Sequence, residues 1–439
     1  MGVHEQQPRT GVNSIAFHSH QLACRLAYIH EVSRRTVEFG CAIVIIGLLA
    51  GVAGAATTLL LHGVEHLTYH YSFGTLLTAV GGSSAIRRAA GPMIGGALAG
   101  CGWWLLRRHT EIPSLSSAIS EPRRLPRLPL CIDATLQVVL VGSGASLGRE
   151  SAPRQIAAAL GDFGTTRLAL TARDREILLS CAAGAGLGAV YSVPLGGALF
   201  TASILLRTWH PRAVGAALIT SSLAVAVAAP VTHLEHPLTW PDFELSPLFA
   251  FLAVAISPLA AAVGLAFDRV MTAARPRIQM RSWTLIPAIA GAGLLTGVCS
   301  IWWPELPGNG RSILTVSVNS GLTLGAAAMI LLLKPLLTAV FLRAGAVGGL
   351  ITPALATGAA AGSLVALALN QWAGTDIAVS ALSLTCAAGV LAITQRAPAF
   401  AALFVWELAH PPYWLLVVFA IAAFASHGLR RLRDKRLAG

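Results

Sequence analysis

The chain of 439 residues could hold two or three soluble domains, but 55 % of it is hydrophobic and only 11 % is charged. A soluble domain carries about 25 % charged residues, and the period-two alternation of an outer-membrane barrel is missing. The formal net charge of +12 lies largely on Arg residues in the tails and between apolar segments. That is a topology signal and a contact for anionic lipid, and it argues against a nucleic-acid partner. Apolar stretches close to or above the roughly 20 residues that span hydrocarbon recur along the whole length. The fold class expected is therefore all-α, a polytopic helical membrane protein.

Taken in order, residues 1–36 read as a polar, basic cytoplasmic tail, with an interfacial helix expected over Ile15–Val32. No apolar h-region follows a basic start, so no cleaved signal peptide is expected. A first transmembrane repeat is expected over 37–231, with Gly/Ala-rich apolar segments at about 37–63, 88–106, 130–147, 150–162 and 177–231. A connecting loop, 232–247, carries Glu235 and Asp242. A second repeat follows over 248–429, with segments at about 245–267, 283–303, 321–342, 347–370, 377–394 and 397–429. Residues 430–439 form a basic tail, and by the positive-inside bias both ends face the cytoplasm of a plasma membrane. Several pieces, notably 150–162 and 397–409, are too short to span and read as broken or re-entrant helices. The seven cysteines show no C-x-x-C and mostly sit in apolar runs, as reduced core residues without a metal or disulfide role.

One stretch stands out. Gly142-Ser143-Gly144-Ala145-Ser146-Leu147-Gly148-Arg149-Glu150-Ser151-Ala152-Pro153 places a carboxylate inside a strongly apolar region. Gly-rich backbone opening into a helix aims unpaired N–H groups and the positive end of the helix dipole at one point. In the second half, Gly348-Gly349-Leu350-Ile351-Thr352-Pro353 repeats the order Gly, then Pro five residues on, then small residues. Proline suits a first helical turn, where its missing N–H would be unpaired anyway. Two such starts in corresponding halves predict an inverted repeat whose helix N-termini meet at one anion site near mid-membrane.

These residues resemble the CLC chloride channels and proton/chloride antiporters, over roughly residues 37–429. Gly148 to Pro153 is similar to the signature G-[KR]-E-G-P, and Gly348 to Pro353 to G-x-F-x-P with Ile351 in the Phe position. Cys181 to Phe200 resembles G-A-A-A-G-…-N-x-P-L-x-G-x-L-F with Ser192 for Asn, and Arg396 to Glu407 resembles R-A-P-…-L-x-x-E. The resemblance implies tilted helices in two inverted halves and a homodimer with one anion pathway per subunit. It also implies that Glu150 is the gate: its carboxylate competes with chloride or a similar small anion and swings aside when protonated. The anion-binding set it implies is Thr110, Gly148, Arg149, Ser151, Leu350 and Ile351, with no cofactor and no metal. Thr110 is the best hydroxyl near the place of the G-S-G-x-P motif, of which only Ile112-Pro113 matches.

Two departures bear on mechanism. Residues 414–439 hold no Tyr for the inner contact, and the L-x-G-x-L-F run continues Thr201-Ala202-Ser203-Ile204-Leu205 without the inner acid of antiporters. A proton relay needs a titratable group there, so little proton coupling is expected; a proton-coupled chloride or fluoride antiporter is the alternative. A different class, an intramembrane serine hydrolase, would need Ser146 poised against a histidine. The histidines lie mainly in tails and loops. Among other residues, Lys334 is read as snorkelling or bonded to backbone, Glu407 as capping or pairing with a neighbouring segment, and Ser143 and Ser146 as satisfying backbone at a tight helix contact. Trp103, Trp104, Trp302, Trp303 and Trp414 are read as an interfacial belt.

Overall fold

The structure of the chain, a computed structural model, describes residues 11–70, 75–121, 124–168, 170–232, 247–319 and 321–438, with side chains in the first helix from Arg34 on. Among the described residues every regular element is helical. The first series is α1 (Gly11–Tyr69), α2 (Leu76–Gly82), α3 (Ala85–His109), α4 (Leu115–Ser120), α5 (Arg127–Gly142), α6 (Ser151–Gly164), α7 (Ala172–Tyr191), α8 (Pro194–Phe200) with a π turn over Thr201–Leu205, and α9 (Pro211–Thr232). The second is α10 (Pro247–Ala255), α11 (Ser257–Ala274), α12 (Leu285–Cys299), α13 (Arg311–Val318), α14 (Leu324–Arg343), α15 (Ile351–Ala373), α16 (Val379–Gln395), α17 (Pro398–Ala409) and α18 (Leu415–Ala438). Seven helical stretches among them are long and apolar enough to cross a membrane. The stretch Ile15–Val32 continues without a break into the membrane helix α1. Residues 1–10 and most of the expected connecting loop, with Glu235 and Asp242, lie outside the described residues.

Glycine spacing explains how apolar helices find one another where lipid is as apolar as leucine. Gly96 and Gly100 on α3 press on the α12 backbone at Ile289 and Leu285–Ile286, and Gly293 and Gly297 on α12 press on the α3 backbone at Pro92 and Arg88–Ala89, each pair one turn apart. A β-carbon on Gly96 would come within 2.6 Å of the Ile289 carbonyl oxygen, and one on Gly293 would overlap the Pro92 carbonyl. The same device joins α15 to α16, where β-carbons on Gly358 and Gly362 would meet the Ala387 and Ser383 backbone at 2.7 and 2.6 Å.

Polar caps mark the helix ends. Ser114, Thr171 and Thr323 accept from backbone N–H groups three residues on, satisfying donors that the first turn leaves open. Asp162 near the end of α6 accepts from Arg127 at the start of α5 (2.7 Å) and from Arg175 at the start of α7 (2.8 Å). Arg127, Asp162 and Arg175 therefore gather the start of α5, the end of α6 and the start of α7 at one end of the helix stack.

Trp103 departs from the expected belt. It is completely buried and its indole donates to Asp133 at 2.7 Å. Gln137 (2.8 Å) and Gln155 (3.0 Å) donate to the other Asp133 oxygen, so α3, α5 and α6 share one buried polar knot. A buried carboxylate needs such donors, and an indole is a donor with an apolar body. Trp302, by contrast, is 66 % exposed.

Candidate functional site

The loop before α6 and the loop before α15 meet in the middle of the helix stack. Gly148 N–H donates to the Gly349 carbonyl at 2.9 Å and Gly349 N–H to the Gly148 carbonyl at 2.8 Å, an isolated antiparallel bridge. A β-carbon on either glycine would overlap Glu150 Oε2, so the bare backbone here leaves room for the carboxylate in the position it occupies. The bridge thus sets the two helix starts side by side and keeps their backbone bare.

Neither helix caps itself: Glu150 precedes α6 and Leu350 precedes α15, and neither makes a side-chain cap bond to its own helix. Glu150 instead crosses to α15. Its Oε1 accepts from Thr352 N–H at 2.6 Å and from the Thr352 hydroxyl at 2.5 Å. The carboxylate is fully buried, and Oε2 has no hydrogen-bond partner. An acidic side chain from one half of the chain therefore caps a helix of the other half, a place any small anion would also fit.

A cavity of about 270 Å³ opens onto this point. Glu150, Ser151, Arg154, Asp268, Arg275 and Gly349 are among the residues that line it, together with Leu350 and Ile351. Of the residues singled out from sequence, Gly148, Glu150, Ser151, Leu350 and Ile351 are brought together here. Arg149 is buried alongside, its guanidinium carbon 5.2 Å from the centre of the Tyr191 ring. Thr110 stands apart: it ends α3, and its hydroxyl donates to the Glu111 carbonyl at 3.4 Å.

The scaffold behind the bridge is pinned by side chains on α14. The Lys334 ammonium, fully buried, donates to the carbonyls of Leu306 (3.0 Å) and Gly308 (2.8 Å). It does not snorkel; of the two readings of this residue, the backbone contact holds. One turn on, the Thr338 hydroxyl donates to the Ser146 carbonyl at 2.8 Å, and Gly308 N–H donates to the Gly144 carbonyl at 3.2 Å. The Ser143 hydroxyl donates to the Leu140 carbonyl at 2.8 Å, pressed against Gly95. Glu407 caps α8, accepting from Leu195 N–H (2.9 Å) and Gly196 N–H (2.5 Å).

Thr352 and Arg154 are site residues that sequence reasoning did not pick out. Thr352 lies inside a quoted motif, but a backbone donor carries no side-chain signal. Arg154 had one: a charge one helical turn after Glu150, entering the run Ile156-Ala157-Ala158-Ala159.

With this geometry in view, the chain can be set beside known proteins. The sequence profile described as "Voltage gated chloride channel" matches residues 95–431. A protein of Escherichia coli named voltage-gated ClC-type chloride channel ClcB is 28 % identical over 403 residues, covering 88 % of this chain and 95 % of that one. Among solved structures, a slow cyanobacterial Cl−/H+ antiporter superposes with a TM-score of 0.73 at 18 % identity, covering 91 % of this chain and 98 % of the other. A CLC-type fluoride/proton antiporter gives 0.70 at 17 % identity, covering 89 % and 95 %. At these identities the likeness to the solved structures establishes a shared fold, with its tilted, broken and re-entrant helices.

Proposed function

The chain belongs to the voltage-gated chloride channel family, and from that premise we propose that it carries chloride or a similar small anion across the membrane with Glu150 as its gate. The observation that carries this reading is the Glu150 carboxylate lodged on Thr352 N–H, beside the Gly148–Gly349 bridge. A transported anion is stabilised there as the carboxylate is, by amide donors and the α15 dipole standing in for its hydration shell. Anion and carboxylate therefore exclude one another, which is what gating requires. Gly148, Ser151, Leu350 and Ile351 supply backbone around the anion; Arg149 shapes the field from behind.

Proton coupling is expected to be weak, because Thr201–Leu205 carries no acid and a relay through hydrocarbon needs one. We place the protein in the plasma membrane as a homodimer, with both termini cytoplasmic. The test is purified protein in chloride-loaded liposomes with simultaneous chloride and proton recording. Wild-type protein is expected to release chloride with little proton movement, and Glu150→Gln and Glu150→Ala to change the rate. Unchanged flux in both variants would overturn the gate assignment; stoichiometric proton uptake would overturn the weak coupling.

A further inference from the structure

Three cavities meet at Arg275: the one at Glu150, one of about 310 Å³ that reaches Gly348, and a mouth of about 920 Å³. Arg275, Arg277 and Arg343 line the mouth, with Thr272, Pro276 and Met280 between them. α11 stops at Arg275, whose backbone is extended (φ −65°, ψ 127°), as a residue before proline is driven to be. The chain that leaves it lays Arg277 along the same cavity. Arg343 closes α14, and Arg107 lies in the last turn of α3. A cation complements the dipole at a helix C-terminus, but that alone does not require the two to converge. Here they do: Arg107, 2 % exposed, lines the 310 Å³ cavity. It donates to the carbonyls of Met280 (3.3 Å) and Gly345 (3.0 Å), and its Nε is buried without a partner.

Among the described residues no carboxylate lines the mouth or the cavity that reaches Gly348, and Arg275, Arg277 and Arg343 have no ion pair. The acids of these elements are engaged elsewhere, Asp268 with Arg430 and Glu111 with Arg281. One halide carries a single charge and cannot satisfy three guanidiniums, whereas each guanidinium fork matches phosphate oxygens two at a time. The mouth also falls within the range of about 300–1,000 Å³ found for sites that hold molecules far larger than an ion. We propose that it binds a soluble polyphosphate, free or carried on a nucleoside, which plugs the anion path. This rests on the reading of the chain as an anion carrier. The phosphates bridge Arg275, Arg277 and Arg343, and Pro276 and Met280 offer an apolar wall beside them. A ligand so held covers Arg275, the residue that all three cavities share, and bars a halide from the Glu150 site.

Helix packing fixes the side of the molecule on which the mouth lies. The Ser426 hydroxyl of α18 donates to the Ser257 carbonyl at the start of α11 (3.2 Å), and Arg430 pairs with Asp268 further along both helices (3.3 Å). α11 and α18 therefore run the same way. The mouth stands at the end where Arg431, Arg433, Lys435 and Arg436 emerge, the side on which we place both termini and on which cells keep their nucleoside triphosphates. A lipid headgroup suits the site less well. Contact with anionic lipid asks only for basic side chains along an outer surface, whereas these arginines come from α3, α14 and the loop after α11 to enclose one recess.

The experiment is calorimetric titration of the purified full chain in detergent with sodium tripolyphosphate, at about 0.15 M salt, where exposed charges more than about 8 Å apart are largely screened. It is paired with chloride efflux from phosphatidylcholine vesicles carrying tripolyphosphate on both sides. Wild type is expected to bind one tripolyphosphate per chain and to release chloride more slowly over the same concentrations, with orthophosphate far weaker. Arg277→Gln combined with Arg343→Gln is expected to weaken binding about tenfold or more, through lost charge-assisted hydrogen bonds, while efflux without tripolyphosphate is unchanged. Arg431→Gln combined with Lys435→Gln removes the same charge outside the mouth and is expected to bind as wild type does. A wild type that binds no tripolyphosphate overturns the proposal, even if a variant fails to fold. So does equal weakening in the two pairs, or binding that leaves efflux untouched. Efflux slowed as much by phosphatidylglycerol in the vesicles, with no tripolyphosphate present, would give the arginines to lipid and overturn the soluble ligand. Wild-type vesicles that retain all their chloride would overturn the transport reading, while the titration still decides whether the mouth takes a polyphosphate.

Discussion

Thr352 holds Glu150 by two bonds that a mutation can separate. Its N–H belongs to the helix start and survives any substitution except proline, whereas its hydroxyl (2.5 Å) does not. A hydrogen bond to a charged group is worth about 1.5–3 kcal/mol. Thr352→Val should therefore weaken the closed position by that amount while leaving the amide for an anion. Chloride affinity, read by calorimetry in detergent, is expected to rise about tenfold or more, since about 1.4 kcal/mol is one decade. An affinity no higher than wild type would mean that carboxylate and anion do not compete. Lys334 makes a contrasting case. Lys334→Met removes both donors and strands the carbonyls of Leu306 and Gly308 in a dry interior. Each orphaned acceptor costs about 1–3 kcal/mol, so thermal stability should fall clearly; an unchanged midpoint would show that the pin is redundant.

Helix pairs make the same point at the next scale, because close approach at glycine both joins α3 to α12 and sets their crossing. Two glycines of α12 form a matched test: a β-carbon on Gly293 would overlap the Pro92 carbonyl, while one on Gly291 meets nothing within 4 Å. Gly293→Ala is expected to lower the unfolding midpoint. Gly291→Ala is expected to leave it unchanged or raise it, since alanine is favoured in a helix by about 1 kcal/mol. Equal effects would mean that α3 and α12 do not depend on this contact. The Gly/Ala spacing, the paired Gly-to-Pro helix starts and the lone carboxylate of Glu150 were legible in the sequence because each is a local pattern. What was not legible is partnership across the chain. Glu150 reaches Thr352, 202 positions away, and no local pattern names that partner. Trp103 looked interfacial because it lies near a segment end, but the acid it serves, Asp133, sits 30 residues on. Lys334 in an apolar run admitted two explanations, and the deciding carbonyls belong to a loop whose path the sequence does not give.

At the level of the whole molecule, two arguments about orientation disagree. Seven stretches are long and apolar enough to cross the bilayer; an odd number of single crossings would put the two ends on opposite sides. The charges say otherwise. Arg34 and Arg35 flank the apolar part of α1, and Arg431, Arg433, Lys435 and Arg436 close α18, and Lys/Arg near span ends is retained in the cytoplasm. The count is the weaker guide here, because it omits helices that enter the bilayer without meeting a length-and-hydropathy rule. α7 is 20 residues long but opens on Arg173, Asp174, Arg175 and Glu176, while α5 and α6 go in and come back to the shared Asp162 cluster. Of the closing charges, Arg430 is already spent inside, donating to the Ile393 carbonyl at 2.6 Å, so the expected orientation rests on Arg431, Arg433, Lys435 and Arg436. A fluorescent protein fused after residue 439 should fold and fluoresce in the cytoplasm, and alkaline phosphatase at the same position should stay inactive. Replacing Arg431, Arg433, Lys435 and Arg436 by glutamine should lower the fluorescent signal. An active phosphatase fusion in the unaltered chain would reverse the orientation drawn from charge.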